Sequence, residues 1–186
     1  SADLLSSDSL QSRIRLFEVW LSTLMDEQSL VGVSVSLVQD QKLVYSKGFG
    51  FADFENQHPA TKETNYRVAS ITKLFTSIAL MQLVEEQKIT LSTAVADVVP
   101  ELRKIQSNEY QVNEITVKSI LTHTTGLPTN PYFVLDEKEE NVRKRSDEFL
   151  KNLHQQSIIF QPNRSSKYSN LAMDLGGVII ERISGL

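Results

Sequence analysis

The apolar residues of this chain change their period once and then change back, and that switch limits the folds open to it. Between Ser9 and Gln28, Leu10, Ile14, Phe17, Leu21, Leu24 and Met25 recur mostly at three- and four-residue steps, with Arg13, Arg15 and Glu18 between them. That spacing predicts an amphipathic helix. At Val31 the period becomes two, because Val31, Val33, Val35 and Leu37 alternate with Gly32, Ser34 and Ser36, the pattern of a half-buried strand. A polar turn, Gln39-Asp40-Gln41, leads into Leu43 to Phe51, a second strand that pairs back on the first and carries Gly48 and Gly50. After a polar loop from Asn56 to Thr64, helical spacing returns. A lone hairpin between helices predicts an α+β fold in which helices cover an antiparallel sheet. That sheet is incomplete, since two strands are marginal by themselves.

The strongest helix comes after the loop: Ile71, Leu74, Phe75, Ile78, Leu83 and Val84 form one wide apolar face, with no internal Gly or Pro. Short helices are expected between Ile89 and Pro100 and from Val117 to Leu121, acting as connectors more than core, before a turn at Thr124, Thr125, Gly126 and Pro128. Mixed charges from Asp136 to Arg145 read as a solvated helix face, with Phe149, Leu150 and Leu153 next at helical spacing. A last helix aligns Leu171, Leu175, Val178, Ile179 and Ile183. Its Gly176 and Gly177 suggest close approach of another backbone, because each weakens a helix by about 1 kcal/mol relative to Ala.

Composition removes several kinds of chemistry. The 186 residues include no cysteine, so thiol nucleophiles, disulfide scaffolds and thiolate metal sites are excluded. A net charge of −4 gives no broad footprint for a phosphate backbone, and nucleic acid is not expected as a partner. His58, His123 and His154 are far apart in sequence, so no metal is expected. No stretch reaches the roughly 18 apolar residues that a bilayer span needs. The chain begins at Ser1 rather than Met, which suggests that something preceded it, a targeting peptide or residues otherwise removed.

Chemistry concentrates at Ser70-Ile71-Thr72-Lys73. Serine and lysine three apart share a helix face, so a hydroxyl and an amine come within hydrogen-bond reach. Near a helix N-terminus, unpaired N–H groups and the positive dipole end stabilise a developing anion and disfavour a further cation. An uncharged Lys73 amine could then take the serine proton, activating a serine without histidine. The competing reading is a serine that caps the helix, followed by a solvated lysine. Two further segments come in order: Thr122-His123-Thr124-Thr125-Gly126-Leu127-Pro128, then Tyr168-Ser169-Asn170.

Together these three segments resemble the serine beta-lactamase and penicillin-binding-protein superfamily, in its class C, DD-peptidase and esterase branch. The resemblance runs from about Val31 to Gly185 and implies a beta-lactamase-like domain. Ser70 would be the acylated nucleophile and Lys73 its proton acceptor or relay. Tyr168 would be the general base or proton shuttle, and Asn170 would bond the substrate and Lys73. Asn170 could also cap the last helix. His123 belongs to what looks like the family's structural turn, which usually has Ser where Thr125 stands, and is expected to pack or bond to backbone. Pro162-Asn163 stands where the family usually has Pro-Gly, and Asn can take the same left-handed turn.

The family's domain is longer than this chain, and its sheet is completed by strands after the Tyr-x-Asn helix. One of those strands carries a third box, Lys-Thr-Gly or His-x-Gly, and no such box comes after Tyr168 here. Residues 1–186 are therefore expected to be the N-terminal part of a single domain, with a second chain or a C-terminal half as partner. The resemblance implies a cofactor-free serine hydrolase acting on a beta-lactam, an ester or a peptidoglycan-like D-peptide, in the periplasm or outside the cell. The alternative, motivated by the absent box, is a catalytically silent fragment serving as a binding or assembly module.

Overall fold

The computed structural model describes residues 7–107, 109–133 and 142–185. They form an α+β structure of six α-helices and a three-stranded antiparallel sheet that does not close. The chain divides into two compact units, one up to Arg67 and one from Val68.

In the first unit, α1 (Ser7–Gln28) precedes β1 (Gly32–Gln39) and β2 (Lys42–Asp53). The hairpin turn has positive φ at both Asp40 (49°) and Gln41 (64°), the two-residue geometry that suits the right-handed twist of paired strands. The two strands are in register from Gly32 opposite Gly50 to Gln39 opposite Lys42, with an irregularity between Leu37 and Val38. Glu18 of α1 accepts hydrogen bonds from the Tyr45 hydroxyl (2.8 Å) and from Lys47 (3.0 Å), tying the helix to β2. A third strand, β3 (His58–Pro59), pairs with β2 inside the segment expected to be loop. Gly48 of β2 lets the chain just beyond β3 pass close by, because a Cβ on Gly48 would lie 2.2 Å from the Ala60 carbonyl oxygen. The two residues of β3, one of them an edge-tolerant proline, leave no alternation for a sequence pattern to register.

The second unit holds α2 (Thr72–Glu85), α3 (Val95–Val98), α4 (Val117–Leu121), α5 (Val142–Lys151) and α6 (Asn170–Ser184). Its core contains the fully buried Leu80, Leu102, Ile120, Leu153, Leu175 and Ile179. One expectation needs correcting. The short segments between Ile89 and Leu127 are core and not connectors: Val95, Val99, Ile115, Val117 and Leu127 are all at 0% exposure. The apolar residues around α2 divide, with Ile71 in the turn before it and Leu74, Phe75 and Ile78 within it exposed and Leu80 and Leu83 buried. The stretch from Asp136 to Arg145 lies mostly outside the described residues.

Helix α6 runs against both α2 and α4. A Cβ on Gly176 would be 3.3 Å from both Leu80 Cδ1 and Thr76 Cγ2, and 3.6 Å from Ile120 Cγ2. The atoms that face Gly176 are side-chain ends and not the backbone anticipated from sequence, and Gly177 has nothing within 4 Å. At the other end Gly185 takes φ 77° and closes the helix in a left-handed cap.

Candidate active site

Ser70 lies in a 3-10 turn, Ala69–Ile71, that runs directly into α2. Ala69, just before it, has φ 46°, a left-handed conformation uncommon for a residue with a Cβ and the kind of local strain found at functional turns. Neither this turn nor α2 has a side-chain cap, so Ser70 is not the capping serine of the competing reading. Its hydroxyl instead receives a hydrogen bond from Lys73 Nζ at 3.2 Å and shares one with the Tyr168 hydroxyl at 2.5 Å. Residues 98 positions apart in sequence meet at one oxygen.

Tyr168 is held from below by the His123 turn. The two rings are in contact, tilted by 33° with centroids 4.7 Å apart, His123 Nδ1 accepts from the Ser169 amide (3.2 Å) and the His123 carbonyl accepts from the Lys167 amide (2.8 Å). Lys73 Nζ lies 4.8 Å from the Tyr168 ring centroid, within cation–π range. The phenol of Tyr168 is held below its ordinary value because the phenolate would accept hydrogen bonds from Lys73 first and Ser70 second, against a smaller opposing effect of burial. Burial, then the charge of Lys73, lowers the His123 imidazole, which fits a neutral ring accepting at Nδ1. This is the structural role expected of His123.

Asn170 departs from expectation in two ways. The residue that caps α6 is Ser169, fully buried, whose hydroxyl accepts from the Ala172 amide (3.0 Å) and donates to the Pro128 carbonyl (2.7 Å). A hydroxyl reaches the N3 amide from the N-cap position, and Asn170 already lies one residue inside the helix. Asn170 Nδ2 donates to Asn130 Oδ1 (2.6 Å), and Asn170 Oδ1, the atom that would accept from Lys73, has no partner among the described residues. Asn163 takes the left-handed turn, φ 65°, and its amide donates to the Thr124 carbonyl at 2.8 Å.

Sequence reasoning missed Asn130, Ser169 and Asp174. Asp174 keeps surface open to solvent, yet burial pushes its carboxyl above the ordinary range, against the pull of Lys73 and then Arg145. It lies one turn beyond Asn170 on α6, near enough for the charge of Lys73 to act on it. A search for paired charges one helical turn from a site residue could have found it. Among the described residues no cluster of His, Asp and Glu could hold a metal ion, and no helix is long and apolar enough to cross a membrane.

The family model for beta-lactamase matches residues 17–186. The chain belongs to the beta-lactamase family. Among curated proteins it is 28% identical over 153 residues to Protein flp of Staphylococcus aureus (strain MW2), covering 82% of this chain and 30% of that protein. It is 34% identical over 124 residues to human serine beta-lactamase-like protein LACTB, mitochondrial, covering 67% of this chain and 22% of that one. Among solved structures, the octameric penicillin-binding protein homologue from Pyrococcus abyssi superposes with a TM-score of 0.75 at 29% identity, over 93% of this chain and 40% of that one. This chain of the beta-lactamase family thus spans well under half the length of these relatives, and matches the superfamily named from its three motifs.

Proposed function

We propose that the chain carries the acylating half of a serine hydrolase, with Ser70 as nucleophile. The observation that supports this most is the meeting of Lys73 Nζ and the Tyr168 hydroxyl on Ser70 Oγ, at 3.2 and 2.5 Å. Ser70 Oγ attacks the carbonyl carbon of an ester, a D-peptide or a beta-lactam. As the new C–O bond forms, the hydroxyl proton passes to the Tyr168 phenolate, which the neighbouring Lys73 ammonium stabilises. The bond to the leaving oxygen or nitrogen then breaks, and that atom takes the proton back from the same pair. Water, deprotonated in turn by that pair, cleaves the acyl ester and restores Ser70. The downward shift of the Tyr168 phenol favours it as the proton carrier, and Asn170 Oδ1 is the acceptor we assign to a substrate N–H. No step calls for a cofactor.

The same reading makes these residues the N-terminal part of one beta-lactamase-like domain. Its support is apolar surface at the start of α2, where Ile71 in the turn before the helix and Leu74, Phe75 and Ile78 within it are 57–67% exposed. Apolar surface of that extent seeks a cover, which we assign to a second chain or to the C-terminal half of the domain. If residues 1–186 purify as a monodisperse, protease-resistant monomer, this assignment is wrong. Action outside the cytoplasm belongs to the reading on the strength of the family resemblance alone.

The test is labelling with a fluorophosphonate and a fluorescent penicillin, followed by hydrolysis of an activated ester and a D-peptide. Label on the native chain and none on Ser70→Ala is expected. Equal labelling of both would end the proposal.

A further inference from the structure

Three contacts converge from His123 onto the segment that carries Tyr168. Its carbonyl accepts from the amide before Tyr168, its Nδ1 accepts from the amide after it, and its ring lies against the Tyr168 ring. The backbone bond survives any protonation state, but the bond at Nδ1 does not. We infer that His123 is a positioning residue for Tyr168 and that it holds Tyr168 against Ser70 only while Nδ1 is unprotonated. This rests on the reading of Ser70 and Tyr168 as the acylating pair.

A neutral imidazole has one donor and one acceptor, and because Nδ1 accepts from the Ser169 N–H, the proton must sit on Nε2. Protonation turns Nδ1 into a second donor facing an N–H. The pair then repels, and the buried Ser169 amide loses its partner. Ser169 is also the cap of α6 and bonds Pro128, so a shift there is carried to Tyr168 immediately before it. The titratable groups facing His123 are Tyr168, through the ring contact, and Lys73 from α2, whose charge opposes imidazolium. Lys167 contributes its backbone amide. The backbone conformation points the same way: His123 sits at φ 55°, where Asn and His are among the few tolerated residues. His123→Asn therefore suits the turn, retains an acceptor near the Nδ1 position and cannot titrate.

The experiment is an NMR pH titration of the full chain with labelled histidine, in the native protein, Ser70→Ala, His123→Asn and His123→Ala. The native chain should show the Nε2–H tautomer at neutral pH. The Ser169 amide and Tyr168 ring signals should then move together as pH falls through a His123 midpoint below 6.5. Ser70→Ala should show the same titration, so failure of Ser70 to acylate would be seen separately from failure of this inference. His123→Asn should lose the titration and keep most of the acylation rate, while His123→Ala loses about 10- to 100-fold, the scale of a misplaced catalytic group. An Nδ1–H tautomer at neutral pH, Tyr168 signals indifferent to His123 protonation, or equal acylation by the Asn and Ala variants would each overturn it.

Discussion

The two adjacent glycines of α6 give opposite predictions from the same sequence feature. At Gly177 an added methyl meets no heavy atom within 4 Å, so Gly177→Ala gains helix propensity of about 1 kcal/mol with no steric loss. For a chain of this size that corresponds to a rise in Tm of roughly 2–4 °C. At Gly176 the methyl would lie 3.3 Å from Leu80 Cδ1 and Thr76 Cγ2. Both are side-chain ends that can yield by a few tenths of an ångström, so Gly176→Ala should come out near neutral. Gly176→Val adds two more methyls to a closed contact, and overpacking of that kind destabilises by about 1–3 kcal/mol. It should also push α6 from α2. Since Ser70 and Lys73 begin one helix and Tyr168 precedes the other, acylation should fall with it. Thermal unfolding followed by far-UV circular dichroism reads the order directly: Gly177→Ala above native, Gly176→Ala close to native, Gly176→Val below. If Gly176→Val melts with the native chain, or Gly177→Ala melts below it, the assignment of Gly176 as the α2–α6 contact is refuted.

Removing the buried cap with Ser169→Ala should cost about 1–2 kcal/mol in urea unfolding, and a loss within error of zero would contradict the capping role. Lys73→Met should raise the Tyr168 phenol toward its ordinary value, because the cation that favours phenolate is gone; an ultraviolet pH titration of tyrosine against a Tyr168→Phe control checks the sign. Phe75→Ser, on the outward face of α2, should change stability by no more than about 0.5 kcal/mol while lowering self-association in analytical ultracentrifugation; a large loss of stability would place Phe75 in a core.

The hairpin and the four longer helices were legible in the sequence because period is a local signal; the pairing of Ser70 with Lys73 followed from their spacing, and the place of Tyr168 beside them only from the family resemblance. What was not legible depended on which side of an element the rest of the chain covers. The apolar face of α2 reads as core by periodicity, yet Phe75 is 67% exposed. Periodicity reports that a face is apolar, and the neighbour that covers it is a matter of tertiary structure. The short helices around Val95 and Val117 are too brief for a period to develop, so their complete burial could not be read. At α6 the choice between Ser169 and Asn170 as cap was a matter of one residue, decided by which side chain reaches the Ala172 amide. Asp174 feels the charge of Lys73 because α6 lies against α2.

The central claim is that Ser70 is activated by the groups bonded to it within this chain. Intact-mass spectrometry before and after exposure to a penicillin and to an activated ester, with Ser70→Ala alongside, tests it most directly. A single added acyl mass on the native chain, absent from Ser70→Ala, is the predicted result. No adduct on the native chain, or the same adduct on both, would contradict it.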